Sequence, residues 1–118
     1  MSAPLNPVEV ESRIRELATQ ISRGVDVVDE AYRAYLAADR AFDEAWAHAY
    51  LKALGNMEDR KQTARAETME LRKARDVADA AYKYADRRSK ALESELRAMQ
   101  SVGASVRNMY AVAGRGEW

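Results

Sequence analysis

The sequence predicts an all-α protein in which two long helices form an antiparallel coiled-coil hairpin, followed by a short C-terminal helix or tail. Apolar residues recur every three or four positions along most of the 118-residue chain, which is the spacing of a coiled-coil seam. The repeat is interrupted once, at Gly55 and Asn56, and both prolines lie within the first seven residues. We therefore predict a lead-in over residues 1–6, a hairpin over 7–100 and a separate segment over 101–118.

The two apolar stripes match when the chain folds back at the interruption, because facing positions then have numbers that add up to 113. Leu17 faces Leu96, whereas Tyr35 faces the small Ala78, and such pairs keep the helix separation constant. The stripes run Val10, Ile14, Leu17, Ile21, Gly24, Val28, Ala31, Tyr35, Ala38, Phe42, Ala45, Ala49 and Ala64, Thr68, Leu71, Arg75, Ala78, Tyr82, Ala85, Ser89, Leu92, Leu96, Met99, Gly103. The predicted hairpin interface is Ile14, Leu17, Ile21, Val28, Tyr35, Phe42, Leu71, Ala78, Tyr82, Ala85, Leu92, Leu96 and Met99.

Two stripe positions are unusual for a coiled-coil seam. Gly24 faces Ser89, and a glycine inside a helix costs about 1 kcal/mol relative to alanine. It is either a tolerated weak point or a place where the two backbones approach closely. Arg75 faces Ala38, so we expect its aliphatic stem to cross the alanine while its charged end reaches water or an acid such as Asp79.

The first helix is predicted over residues 7–54. Asn6 is a suitable N-cap, Pro7 suits the first helical position, and Glu9 suits the first turn. Leu5 and Val10 are spaced to form a hydrophobic staple across that cap.

The second helix is predicted over residues 57–100, after a turn at 55–56. Gly55 is a typical helix stop, and Asn56 is a suitable cap with Asp59 three residues later. Beyond residue 100, either Gly103 ends the helix or the helix continues to about Val112.

A second apolar surface lies outside the seam. It consists of Val25, Tyr32, Leu36, Trp46, Tyr50 and Leu54 on helix one and Met69, Val77, Ala81 and Tyr84 on helix two. Because a two-helix rod buries little surface per residue, we expect two hairpins to pair into a four-helix bundle, with a higher oligomer as an alternative. In the other interpretation, these side chains simply remain half-exposed. The candidate oligomer face is Tyr32, Leu36, Trp46 and Tyr50.

The formal net charge is zero, but the charges are unevenly distributed. Residues 1–59 carry 11 acids and 6 bases, and residues 60–118 carry 8 acids and 13 bases. The simplest use of this difference is charge complementarity between the two arms. The other use is a basic face on helix two, together with an aromatic C-terminal segment, for nucleic acid. Candidate nucleic-acid or partner contacts are Arg87, Arg88, Arg107, Tyr110, Arg115 and Trp118.

Motifs that carry catalysis are nearly absent. The chain has no cysteine, and its one histidine, His48, lacks the Glu-x-x-His spacing of di-iron helical bundles, since Glu44 precedes it by four residues. We expect no enzymatic activity, no cofactor and no metal site. No signal peptide or membrane-spanning apolar run is visible, so we expect a soluble cytoplasmic protein that does not act at a membrane.

The stretch from Ala45 to Arg107 resembles a group of small helical-hairpin proteins encoded by tailed phages of actinobacteria. The features that carry the resemblance are Ala45–Ala53, the Gly55 turn, Arg60-Lys61 with Ala64 and Thr68, Asp76–Tyr82, Leu92 to Leu96-Arg97, and Ser101 to Arg107. The sequence departs from these proteins at Gln100, where they often carry arginine. Their genes tend to lie near those of single-strand annealing recombinases and other DNA-metabolism proteins. The resemblance thus implies a genomic context rather than a mechanism, and locates the protein in the cytoplasm of an infected bacterium.

Two functions of different classes follow. The first is a non-enzymatic, oligomeric interaction protein that assists a phage recombination or replication partner, or binds a host protein. The second is direct binding of single-stranded nucleic acid. A weaker third interpretation, a WxG-type secreted hairpin, lacks the Trp-x-Gly turn, because Trp46 lies nine residues before Gly55. It also lacks the acidic residue expected four positions after Tyr110, where Gly114 stands.

Overall fold

A computed structural model describes residues 6–116, and it is all-α. The helices are α1 (Pro7–Lys52), α2 (Met57–Glu67) and α3 (Met69–Gly116), and no strand occurs between residues 6 and 116. The chain divides into two compact units. Unit 1 contains the described residues up to Asp26 and from Arg87 onward, and unit 2 is Val27–Asp86.

The predicted start of the first helix is confirmed. The Asn6 side-chain oxygen accepts a hydrogen bond from the Glu9 backbone N–H at 2.9 Å, and α1 begins at Pro7. Val10 is buried, but Leu5, its proposed staple partner, lies outside the described residues. At the other end α1 stops at Lys52, two residues before the predicted end, and Gly55 takes a left-handed φ of +103° in the turn.

The prediction of one unbroken helix over 57–100 is wrong. Asn56 does cap α2, accepting from the Asp59 backbone N–H at 2.8 Å, but α2 ends at Glu67 and α3 begins at Met69. Between them, Thr68 has φ −107° and ψ 11°, and its hydroxyl donates to the Ala64 carbonyl at 2.7 Å. Thr19 and Thr63 make the same hydroxyl bond to the carbonyl four residues earlier without a break in their helices, so this bond accompanies the interruption but does not by itself explain it.

No helix boundary occurs at residue 100. Of the two alternatives beyond it, the structure shows the second, since α3 continues through Gly103 and past Val112 to Gly116. Gly103 is buried, and a Cβ atom placed on it would lie 3.1 Å from Val10 Cγ1. The glycine therefore permits close helix packing instead of stopping the helix. Val106, one turn later, is only 8% exposed and extends the buried stripe beyond the predicted interface.

In unit 1, α1 and α3 pack in opposite directions. Gly103 lies against Val10, and a Cβ at Gly24 would lie 3.9 Å from Ser89 Oγ, so both contacts follow the predicted register. Leu17 and Val10, at 0% and 1% exposure, are the largest fully buried side chains of the described chain.

In unit 2, the fully buried residues are small. They are Ala49, Ala53, Ala64, Thr68 and Ala85, and they are flanked by the half-buried Val28, Tyr35, Phe42, Ala78 and Tyr82. Much of the apolar surface of this unit therefore remains in contact with solvent.

Candidate functional site

The predicted interface residues lie almost entirely on the less exposed faces of the helices. Leu17 and Ala85 are buried. The half-buried members are Ile14, Ile21, Val28, Tyr35, Phe42, Ala78, Tyr82, Leu92, Leu96 and Met99. Leu71 is the exception at 38% exposure, and it lies just after the interruption at Thr68.

Arg75 is the charged residue of the unit 2 seam, and its guanidinium is held by an aromatic ring and two acids. Its Cζ lies 4.6 Å from the centroid of the Phe42 ring, which is a cation–π contact. Its nitrogens lie 3.7 Å from Asp39 Oδ1 and 3.5 Å from Asp76 Oδ1. The charged end thus reaches acids, one of the two expected alternatives, but not Asp79, the acid given as an example, which pairs with Lys83 at 3.0 Å.

Three of the four candidate oligomer residues make aromatic contacts inside unit 2. The Tyr32 ring lies 5.0 Å from the Tyr82 ring, and Trp46 stacks on Tyr50 at 5.3 Å. Trp46 and Tyr50 are half-buried, whereas Tyr32 and Leu36 are 42% and 37% exposed. This surface is thus partly occupied by intramolecular contacts.

Arg60, on α2, contacts residues on the α1 side of the turn in unit 2. Its Nε donates to the Ala53 carbonyl at 3.0 Å, and its Cζ lies 5.7 Å from the Tyr50 ring centroid. It satisfies a carbonyl beyond the end of α1 that has no partner in the helix. The basic charge at this position is therefore engaged in closing the turn.

Each helix seam has two flanks. The leading flank is formed by the residues that immediately precede every second seam residue. Those seam residues are Ile14, Ile21, Val28, Tyr35, Phe42, Arg75, Tyr82, Ser89, Leu96 and Gly103. The trailing flank is formed by the residues that immediately follow the other seam residues. Those seam residues are Leu17, Gly24, Ala31, Ala38, Ala45, Leu71, Ala78, Ala85, Leu92 and Met99.

In unit 2 the trailing flank is the covered one. Asp39, Trp46, Asp79 and Asp86 are half-buried there, and Tyr32 makes its ring contact on this side. The leading flank is uncovered and apolar. It contains Val27, Ala34, Ala41, Ala74 and Ala81, all exposed, and we name these five residues the open flank.

In unit 1 the covered flank is the opposite one. Arg13, Gln20, Glu95 and Val102 on the leading flank are half-buried, whereas Val25 on the trailing flank is 62% exposed. Arg13 Nε donates to Glu95 Oε1 at 3.1 Å, and Arg13 also pairs with Glu16 at 3.2 Å. The hydrogen bond to the Glu95 carboxylate raises the pKa of Arg13, because it favours the charged guanidinium.

The candidate nucleic-acid contacts lie on α3. Arg87, Arg88 and Arg107 are exposed, and Tyr110 is 56% exposed near the end of the helix. The side chain of Arg115 and the whole of Trp118 lie outside the described residues. Earlier bases on this helix are next to acids, as in Lys73 with Glu70 at 3.3 Å.

The single histidine lies on the leading side of unit 2, near the turn. His48 is exposed and lines a shallow groove of about 270 Å³ with Ala45, Ala49, Lys52, Glu67 and Thr68. Within residues 6–116, no three His, Cys, Asp or Glu side chains are grouped so as to hold a metal ion. In the same range, no helix combines the length and apolar character needed to span a bilayer.

Of the open flank, the sequence indicated only Ala81, with its neighbours Val77 and Tyr84, although a signal for the other four residues is present. Val27, Ala34 and Ala41 are spaced seven residues apart, as are Ala74 and Ala81. A seven-residue repeat of apolar residues beside the main stripe indicates a second buried face.

Comparison with protein-family models, with curated proteins and with solved structures finds no match to this chain.

Proposed function

We propose that this protein is a non-enzymatic interaction protein that works by helix pairing and self-association. In this proposal each hairpin has a coiled-coil seam, and two hairpins join into a four-helix bundle. The observation that carries it is the large apolar surface left exposed on unit 2, where Val27, Val77 and Tyr84 are 56%, 69% and 64% exposed. Exposed apolar groups on this scale are typical of surfaces that bind another protein.

The thin core of unit 2 supports the same proposal. Its fully buried residues are four alanines and one threonine, which remove little apolar area from water. A second layer of helices would bury the exposed valines and tyrosine and add to the stability of the folded chain.

The resemblance to phage-encoded helical hairpins supplies the biological part of the proposal. The self-associated protein assists a recombination or replication protein of a phage, or binds a protein of the bacterial host, inside the host cytoplasm. It contributes a binding surface and leaves any chemistry to that partner.

Sedimentation equilibrium over a wide range of protein concentrations tests self-association. We expect a species of twice the 13.3 kDa chain mass or a higher multiple, in mass-action equilibrium with the single chain. A single-chain mass at every concentration up to the highest reached would contradict the proposal.

Direct binding of single-stranded nucleic acid is the second candidate function. It is favoured by the exposure of Arg107 together with Tyr110. A basic side chain can contact phosphate groups, and a nearby aromatic ring can stack on nucleobases. Fluorescence anisotropy with a labelled oligonucleotide tests it. Binding that weakens steeply with salt, and that Arg107→Ala reduces while the matched control Arg40→Ala does not, is the expected result. No binding at low salt would exclude this function.

A further inference from the structure

We propose that the open flank of unit 2 is the surface through which two copies of this chain associate. This inference rests on the proposed function and replaces the predicted aromatic face with a different one. The five open-flank residues, Val27, Ala34, Ala41, Ala74 and Ala81, are all exposed, and they lie beside the exposed Val77 and Tyr84.

The open flank lacks the interactions that cover the same flank in unit 1. There, Arg13 and Glu95 reach across the seam and form an ion pair. The corresponding positions in unit 2 carry only the short apolar side chains of valine and alanine, which cannot bridge the two helices. Short side chains also let another helix approach closely, since the distance between packed helix axes depends on the residues at the contact.

The trailing flank of unit 2 is a poorer docking surface. Its acids and aromatic rings already have partners, including Asp39 with Arg75 and Tyr32 with Tyr82. A second chain that packed there would have to displace these contacts or bury charged groups, and burying charges is costly.

The charges around the open flank suit a second copy. On the outer side of α1 the rim carries Glu30 and Glu44 together with Arg40, and none of these three forms an ion pair within the described residues. An interface between identical surfaces must complement itself, so it needs both signs of charge at its rim. A surface that binds nucleic acid would instead be expected to have only basic residues at its rim.

The size of the surface is also sufficient. The leading side of α1 from Val27 to His48 is about 30 Å long, and two adjacent helices are about 20 Å wide. Contact over this surface would cover about 600 Å² on each copy, or about 1,200 Å² in total. This exceeds the minimum total area of roughly 1,000 Å² that is expected of a specific interface.

Sedimentation velocity of matched double variants tests the proposal. Ala34→Glu with Ala81→Glu places charges on the open flank, whereas Ala47→Glu with Ala66→Glu adds the same charge at exposed helical alanines elsewhere. We expect the open-flank variant to associate at least about tenfold more weakly than the wild type and the control variant to match the wild type. Circular dichroism must show equal helicity in all three proteins. This is expected because glutamate is a good helix former and every substituted site is exposed.

A third variant, Tyr32→Lys with Leu36→Lys, separates this proposal from the proposed function. If the wild type associates, the open-flank variant is unaffected and the Tyr32 and Leu36 variant dissociates, the aromatic face is the interface. The open-flank proposal is then overturned while self-association stands. If the wild type is a single chain throughout, both proposals fail.

Discussion

The two units use the same helical seam but cover opposite flanks of it. In unit 1 the covered leading flank holds a pair of long charged side chains, Arg13 and Glu95, over a seam that buries Leu17. In unit 2 the covered trailing flank holds Trp46 and acids such as Asp39, the seam contains the Arg75–Phe42 contact and its most buried residues are small, and the leading flank is bare. One apolar periodicity can thus specify two side-chain environments, because flank residues decide which side of the seam is left free for a partner.

Removal of the seam leucines should reveal the largest difference between the units. Leu17→Ala in unit 1 should lower the free energy of unfolding by about 3 kcal/mol, since a fully buried leucine leaves a cavity. Leu71→Ala in unit 2 should cost less than about 1 kcal/mol, because Leu71 is 38% exposed. Urea denaturation followed by circular dichroism at one fixed protein concentration measures both. Equal losses would show that the two seams are equally packed.

The turn of unit 2 provides the next largest effect. Gly55→Ala should cost about 2 kcal/mol, because φ is +103° at this position and the new Cβ would lie 2.7 Å from Asp59 Oδ2. Gly114→Ala is the matched control, since a Cβ there meets nothing within 4 Å. The same denaturation measurement applies, and a Gly55 variant as stable as the wild type would show that the turn is free to adopt another conformation.

The cation contacts of the two units, Arg75 with Phe42 in the unit 2 seam and Arg13 with Glu95 on the unit 1 leading flank, should respond differently to salt. Arg75→Met removes a half-buried contact with the Phe42 ring together with the ion pairs to Asp39 and Asp76, and should cost about 1 kcal/mol at low salt. Most of this cost should persist in high salt, because salt screens mainly the two ion pairs. Arg13→Met removes a more exposed ion pair with Glu95, so its smaller cost should fade as salt is raised. Denaturation at low salt and in molar sodium chloride distinguishes them. Loss of the Arg75 effect in high salt would contradict the role assigned to the ring.

Two helical glycines of unit 1, Gly24 and Gly103, should give the smallest effects. Gly24→Ala should stabilise the protein by about 0.5–1 kcal/mol, because the new Cβ would meet Ser89 Oγ at an ordinary 3.9 Å. Gly103→Ala should gain less or lose stability, because its Cβ would lie 3.1 Å from Val10 Cγ1. Thermal unfolding of the two variants provides the comparison. Equal stabilisation by the two variants would show that the Val10 side chain can shift to accommodate the new Cβ atom without a loss in the free energy of unfolding.

The features that the sequence predicted correctly are those governed by local chemistry. The all-α class, the caps at Asn6 and Asn56 and the glycine of the turn follow from periodicity and backbone preferences. The interruption at Thr68 was not predicted, and the sequence left open whether the helix ends at Gly103 or continues to about Val112. The structure shows continuation, with the buried Gly103 against Val10, a contact that a one-dimensional pattern does not contain. The partners of Arg75 were missed for a related reason, since the rotation of each helix about its axis selects Asp39 and Phe42 over Asp79.

The candidate surfaces were only partly predictable. Tyr32 and Trp46 stood out because large aromatic residues are conspicuous in a sequence, and the structure gives both of them ring contacts within unit 2. Four of the five open-flank residues were not predicted, because alanine and valine are compatible with buried, exposed and seam positions alike. Ala81, together with its neighbours Val77 and Tyr84, was the part that the sequence indicated.

Thiol accessibility is the most direct test of the central claim that the covered flank differs between the units. The chain has no cysteine, so single cysteines can be placed at Gln20 and Val25 in unit 1 and at Asp39 and Ala41 in unit 2. Their reaction rates with a thiol reagent are then compared with those in urea, at a protein concentration low enough to favour single chains. We expect slow reaction at positions 20 and 39, which are half-buried, and fast reaction at positions 25 and 41, which are exposed. Slow reaction at both leading positions, 20 and 41, with fast reaction at both trailing positions, 25 and 39, would contradict it.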